Sequence, residues 1–188
     1  MVAIAQKMTW KEFREMEVDD DDHYIYELID GILMKRTSPS LHHQRVSRRL
    51  SEMLGAFLKA NPIGEYFPAP TDVSLDEHTG IVPDITFVSN ERAFIIDNDD
   101  YIAGAPDLII EIISPGNIKR DRVDKKNLYE RFAVKEFWLV DPANRSVEVY
   151  LMDGDAYQLH ALEEGEGKVV STVINGFVLE VKELFESK

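Results

Sequence analysis

Two carboxylates sit inside the two most apolar segments of this 188-residue chain: Asp84 in VPDITFV (82–88) and Glu111 in DLIIEIISP (107–115). Burying an ionised carboxylate is costly unless the charge is paired or binds a metal. Two of them on neighbouring strands would also repel each other. A divalent cation held between them removes both costs. Mg2+ and Mn2+ prefer oxygen ligands, and Mg2+ sites commonly combine one or two carboxylates with water and substrate phosphate. Lysines follow Glu111 in the next segment. A cation, a lysine and phosphate-binding arginines are the parts that phosphodiester hydrolysis needs. The cation polarises a phosphoryl oxygen and lowers the pKa of bound water, and the lysine orients that water or offsets charge developing on phosphorus. The alternative, for either carboxylate taken alone, is a strand end, exposed or paired with Lys or Arg.

The elements that must position these groups follow from pattern. Thr9 and Glu12 in MTWKEFREME form a capping box that starts a short helix, and the acidic run 19–22 ends it. YIYELI and ILMKRT flank Asp30-Gly31, a strong hairpin signal, so 24–36 reads as two antiparallel strands. Leu41, Val46, Leu50, Met53, Leu54, Phe57 and Leu58 recur at helical spacing in one long amphipathic helix, which Pro62 and Gly64 break. A strand is expected over about 66–75, then the strand holding Asp84, a loop over DNDDYIAGAP, and the Glu111 strand, ended by Pro115-Gly116. Residues 118–132 read as a helix with Val123, Leu128 and Phe132 on its buried side. VKEFWLVDP is a further strand, with Trp138, like Trp10, in the core. SVEVYLM, AYQLHAL, KVVSTVI and FVLEV give short strands, and KELFES a last helical turn. The whole reads as one α/β (α+β) domain over 1–188: a core at about 38–141, an N-terminal helix and hairpin over 8–37, and C-terminal strands over 145–188. A mixed sheet with helices packed on it is expected.

Composition narrows the classes. The chain is 44% hydrophobic and 30% charged, as ordinary globular proteins are. No run approaches the ~18 apolar residues of a membrane span. No cysteine is present, which removes disulfides and thiolate sites and fits the cytoplasm. The net charge of −14 opposes non-specific binding of nucleic acid over the whole surface. Yet 35–49 and 119–126 together hold 10 of the 21 basic residues and 2 of the 35 acids. These stretches either meet as a local anion site or are solvated helix faces. There is no G-x-S-x-G, G-x-G-x-x-G or Walker loop, and His42, His43 and His160 lack zinc-motif spacing.

Pro83-Asp84 followed by Glu111-Ile112-Ile113 resembles the PD-(D/E)xK motif of restriction-endonuclease-like nucleases. The closer resemblance is to the Uma-type family of bacterial restriction endonucleases. Its phrases run in order from about residue 9 to 185: YELIDGILM, PSLHHQRVSRRL, VPDITFV, PDLIIEIISP, RDRVDKKNLYERFAVKEFWLVDP and INGFVLEVKELF. The resemblance implies an αβββαβ core with a mixed sheet and Mg2+- or Mn2+-dependent cleavage of DNA by a homodimer. Asp84 and Glu111 match the metal-binding carboxylates. Ile113 stands where the motif has lysine and cannot bond a water, so either the amine comes from elsewhere or the protein is an inactive binding module. The family places a lysine four residues before a tyrosine, and Lys125 stands so to Tyr129, sharing a helix face with Asp121. Lys126, about 100° around the helix, is the alternative. Glu27 matches a family position and is a candidate third metal carboxylate, or else a solvent-facing strand residue. His43 matches the family histidine, as a core residue or a phosphate or water contact. Asp107 caps a turn or assists the metal. Arg45, Arg48, Arg49, Arg120, Arg122 and Lys126 are candidate phosphate contacts.

Overall fold

The computed structural model describes residues 7–17, 24–98, 100–114, 116 and 119–186. Helix α1 (Trp10–Arg14) precedes a hairpin of β1 (Tyr24–Ile29) and β2 (Ile32–Thr37), then α2 (Leu41–Ala60) and β3 (Gly64–Pro68). Next come β4 (Val73–Asp76), β5 (Thr79–Ile81), β6 (Ile85–Ser89), β7 (Ile96–Asp97), β8 (Tyr101–Ala103) and β9 (Leu108–Ile112). A π-helical turn (Arg120–Asp124) runs into α3 (Lys125–Arg131). The chain continues through β10 (Glu136–Asp141), β11 (Ser146–Asp153), β12 (Ala156–Glu164), β13 (Lys168–Val170), β14 (Val178–Glu180) and α4 (Val181–Phe185).

The main sheet is six-stranded, ordered β12-β11-β10-β9-β6-β3. β3, β6 and β9 form an antiparallel meander, and β10 returns parallel to β9 after α3. With α2 in front, this is the expected αβββαβ core. β9 is apolar and buried at every position but Glu111 because it is covered on both faces. Leu108, Ile110 and Ile112 face the α2 side, where Val46, Leu50, Leu54 and Leu58 pack. Ile109 and Ile113 face the α3 side, with Leu128, Tyr129 and Phe137. Alternation therefore sends Glu111 to the α3 side. The β6–β9 register pairs Ile85 with Ile110. Continued by one residue, it sets Asp84 across from Glu111 on the same face.

A second sheet, ordered β2-β1-β5-β4-β8-β7, is built from the hairpin and from excursions inside the meander. Asp30 and Gly31 both have positive φ, as the two-residue turn requires. β1 meets β5 at Leu28 and Gly80. That contact brings Glu27 beside the segment leading to Asp84.

Several expectations change. The strand expected over 66–75 is two strands in different sheets, split after Pro68, near Pro70, where prolines remove ladder donors. The loop over DNDDYIAGAP contains β7 and β8. Asp84 lies just before β6 rather than within it. In the 118–132 helix Leu128 is buried, but Val123 is exposed because the π turn shifts it off the inner face. Leu41, at the first position of α2, is exposed. The strands expected over KVVSTVI and FVLEV shrink to three residues each. The Thr9–Glu12 capping box forms, and Trp10 and Trp138 are buried. The acidic run 19–22, Pro115 and the start of the helix at Ile118 lie outside the described residues. No helix among the described residues is long and apolar enough to cross a membrane.

Candidate active site

Asp84, Glu111, Lys125 and His43 line one pocket of about 190 Å3, together with Arg36, Arg120 and Asp121. Its walls come from four places: the C-terminal end of β9, the segment before β6, the start of α2, and the π turn leading into α3. Asp84 is buried, and its Oδ2 accepts from His43 Nε2 at 3.0 Å and from the Ile112 amide at 2.8 Å. Both bonds that its carboxylate receives from described residues fall on Oδ2. Burial opposes ionisation of Asp84, but His43, the Lys125 charge and the Ile112 amide outweigh it and hold its pKa below the usual carboxylate value.

Glu111 is enclosed, and its Oε2 accepts from Lys125 Nζ at 2.7 Å. The Tyr129 hydroxyl donates to Oε1. Burial raises the Glu111 pKa; Lys125 counters this, and the charge of Asp84 adds to the rise. Two acids in one wall are thus pushed apart, with Asp84 the more readily ionised. Asp121 accepts from the Ser114 amide at 3.2 Å, and burial, with the charge of Asp84, raises its pKa. Ile113, at the motif's lysine position, is buried in the apolar cluster under α3. Lys125 brings the amine to Glu111 from the helix instead.

Glu27 is buried but is not among the residues lining the pocket. Its Oε1 accepts from the Val82 amide at 3.1 Å, and Oε2 pairs with Arg120. Lys125 Nζ and Arg36 Nε each stand 3.9 Å from Oε1. Neither the third metal carboxylate nor the solvent-facing residue is what forms: Glu27 is a buried counter-charge behind three cations. No three of His, Asp and Glu converge as a cation site among the described residues. Asp84 and Glu111 fit Mg2+ or Mn2+ as a pair, since such ions complete their shell with water and phosphate.

Other candidates fall outside the pocket. Arg45, Arg48 and Arg49 line a separate groove that also holds Glu52, Glu183 and Glu186. Arg122 bonds Asp141 at 2.9 Å and Glu148 at 2.5 Å. The Lys126 amine sits 4.3 Å from the centre of the Tyr150 ring. Only Arg36, Arg120 and Lys125 of the two basic stretches meet at the site. Arg36, not among the candidate contacts, was findable: the hairpin register pairs it with Ile25, two residues from Glu27 on the same face.

Asp107 lies before β9, four residues from Glu111 and so ~13 Å away along extended chain. It accepts from the Ser89 amide at 2.9 Å, Arg92 at 3.1 Å and Lys135 at 2.7 Å, a structural anchor rather than a metal ligand. Burial works against its charge, but Lys135, Ser89 and Arg92 prevail and lower its pKa. A lowered folded pKa contributes stability above the unfolded value of about 3.9, which is lost as pH falls through the folded value. Asp107→Asn is expected to flatten the fall in melting temperature from about pH 5 to about pH 2. Equal falls in both proteins would contradict this.

A search of curated proteins returned no match. Among solved structures, the fold is similar to the crystal structure of "a putative nuclease belonging to DUF820" from Anabaena variabilis. The TM-score is 0.74 at 22% identity, covering 95% of this chain and 97% of that one. The family model Uma2, described as "Putative restriction endonuclease", matches residues 10–182. That span takes in both carboxylates, the lysine helix and the hairpin that carries Glu27, and the chain belongs to the Uma2 family.

Proposed function

We propose that this protein is a divalent-metal-dependent DNA endonuclease that hydrolyses phosphodiester bonds in the pocket of Asp84, Glu111 and Lys125. The observation that carries the reading is the amine of Lys125, 2.7 Å from Glu111 in the pocket that Asp84 also lines. It supplies from α3 what Ile113 cannot supply from the strand.

Asp84 and Glu111 would hold Mg2+ or Mn2+, which when bound polarises the phosphoryl oxygen and acidifies a water. His43 and the Ile112 amide fix Asp84 through Oδ2, leaving Oδ1 for the cation. Arg36 and Arg120 line the same pocket and give the phosphate the positive surroundings that a chain of net charge −14 otherwise denies it. Glu27 keeps those cations in place without entering the pocket. Attack by water forms a new P–O bond as the bond to the leaving sugar oxygen breaks, and that oxygen takes up a proton. Lys125 orients the water or offsets charge on the phosphoryl oxygens. A pocket of about 190 Å3 admits the phosphate of one strand, so a homodimer would be needed to cut both. The reading has the protein act in the cytoplasm.

Supercoiled plasmid incubated with the purified protein tests the reading. Nicking is expected with Mg2+ or Mn2+ and none with chelator. A folded protein that cuts no DNA with either ion would overturn it in favour of a binding module on the nuclease fold.

A further inference from the structure

We propose that Tyr129 is a positioning residue of this site, its hydroxyl joining the Lys125 amine to fix the plane of the Glu111 carboxylate. The inference rests on the reading of Asp84 and Glu111 as the cation-holding pair, and adds a residue that does not itself line the pocket.

Lys125 and Tyr129 are one helical turn apart, so α3 presents both to the same neighbour. They take different oxygens of it: Lys125 donates to Oε2 and Tyr129 to Oε1. A single donor would leave the carboxylate free to turn about its last bond. Two donors on one rigid helix define its plane, and with it the direction of the lone pairs left for a cation. Groups behind a metal ligand act in this way, and losing one weakens metal binding by about 10- to 100-fold.

A purely structural role accounts for the ring but not for the hydroxyl. The ring is fully buried and packs on Phe137, with centroids 5.3 Å apart. Phenylalanine would fill that space. Tyr157 makes the contrast: also buried, its hydroxyl donates to the backbone carbonyl of Val134 at 2.8 Å and ties α3 to β12. Tyr129 spends its hydroxyl on the pocket carboxylate, between a strand and a helix that the apolar core already joins.

The test is calorimetric titration of the intact protein with Mn2+, without DNA, for the parent, Tyr129→Phe and Tyr157→Phe. Melting temperatures are measured alongside. Tyr129→Phe is expected to raise the Mn2+ Kd by about 10- to 100-fold, and Tyr157→Phe to leave it unchanged. A Tyr129→Phe Kd within twofold of the parent would overturn the inference, as would an equal loss in Tyr157→Phe. The parent must lose its site in Asp84→Ala. If the parent binds no Mn2+, the metal reading falls and this inference with it, whereas parent binding that Tyr129→Phe does not alter removes this inference alone.

Discussion

Asp84→Asn is expected to lower metal-supported DNA cleavage by about 10²- to 10³-fold while the protein stays folded. The substitution keeps the shape and an oxygen that accepts from the Ile112 amide and from His43, the two bonds that anchor the side chain. It removes the charge. Asp84 is the acid of the pair whose pKa is held down, so at neutral pH it brings the more secure negative charge to the cation. The amide oxygen that remains is a weaker ligand for a hard dication. Initial rates of plasmid nicking across a Mn2+ series, with circular dichroism to confirm the fold, measure the effect. Cutting within tenfold of the parent at saturating Mn2+ would mean that Asp84 does not hold the metal.

Lys125→Met is expected to reduce both cleavage and stability. The methionine keeps the apolar stem but leaves Glu111 without the cation on Oε2. Both side chains are nearly inaccessible, at 4% for Lys125 and 2% for Glu111. Removing one partner of a buried pair costs about 3–5 kcal/mol, mostly from the charge left behind. Adding Glu111→Gln removes that charge, so the double variant should regain much of the stability in urea denaturation while remaining inactive. Lys126→Met should lie within about 0.5 kcal/mol of the parent, since that amine rests on the Tyr150 ring at the surface of α3. If Lys126→Met instead abolished cleavage and Lys125→Met did not, the lysine assignment would be reversed.

The core was readable because its signals are local and redundant. Glu111 interrupts a continuous apolar run, Asp84 follows Pro83 at the entry to another, and a helix with a clear apolar stripe stands before both. Asp30-Gly31 set the hairpin register. The choice between Lys125 and Lys126 was also legible, because Asp121, Lys125 and Tyr129 recur every four residues along one helix face. The second sheet was not. It is assembled from strands as short as two residues, and β1 reaches β5 through the single pairing of Leu28 with Gly80. A contact that distant in sequence leaves no periodic trace, so the burial of Glu27 could not be foreseen. The arginines divided for a similar reason. Arg120 and Arg122 are two residues apart, yet one faces Glu27 and the other Asp141 and Glu148. Composition cannot tell which acid each will meet.

The central claim is that Asp84 and Glu111 together grip a hard dication beside the Lys125 amine. Anomalous diffraction from crystals soaked in Mn2+ addresses it directly. The account predicts one strong peak with an oxygen of Asp84 and an oxygen of Glu111 at about 2.0–2.2 Å. Crystals saturated with Mn2+ that hold no ion between these two carboxylates, or hold it elsewhere, would contradict it.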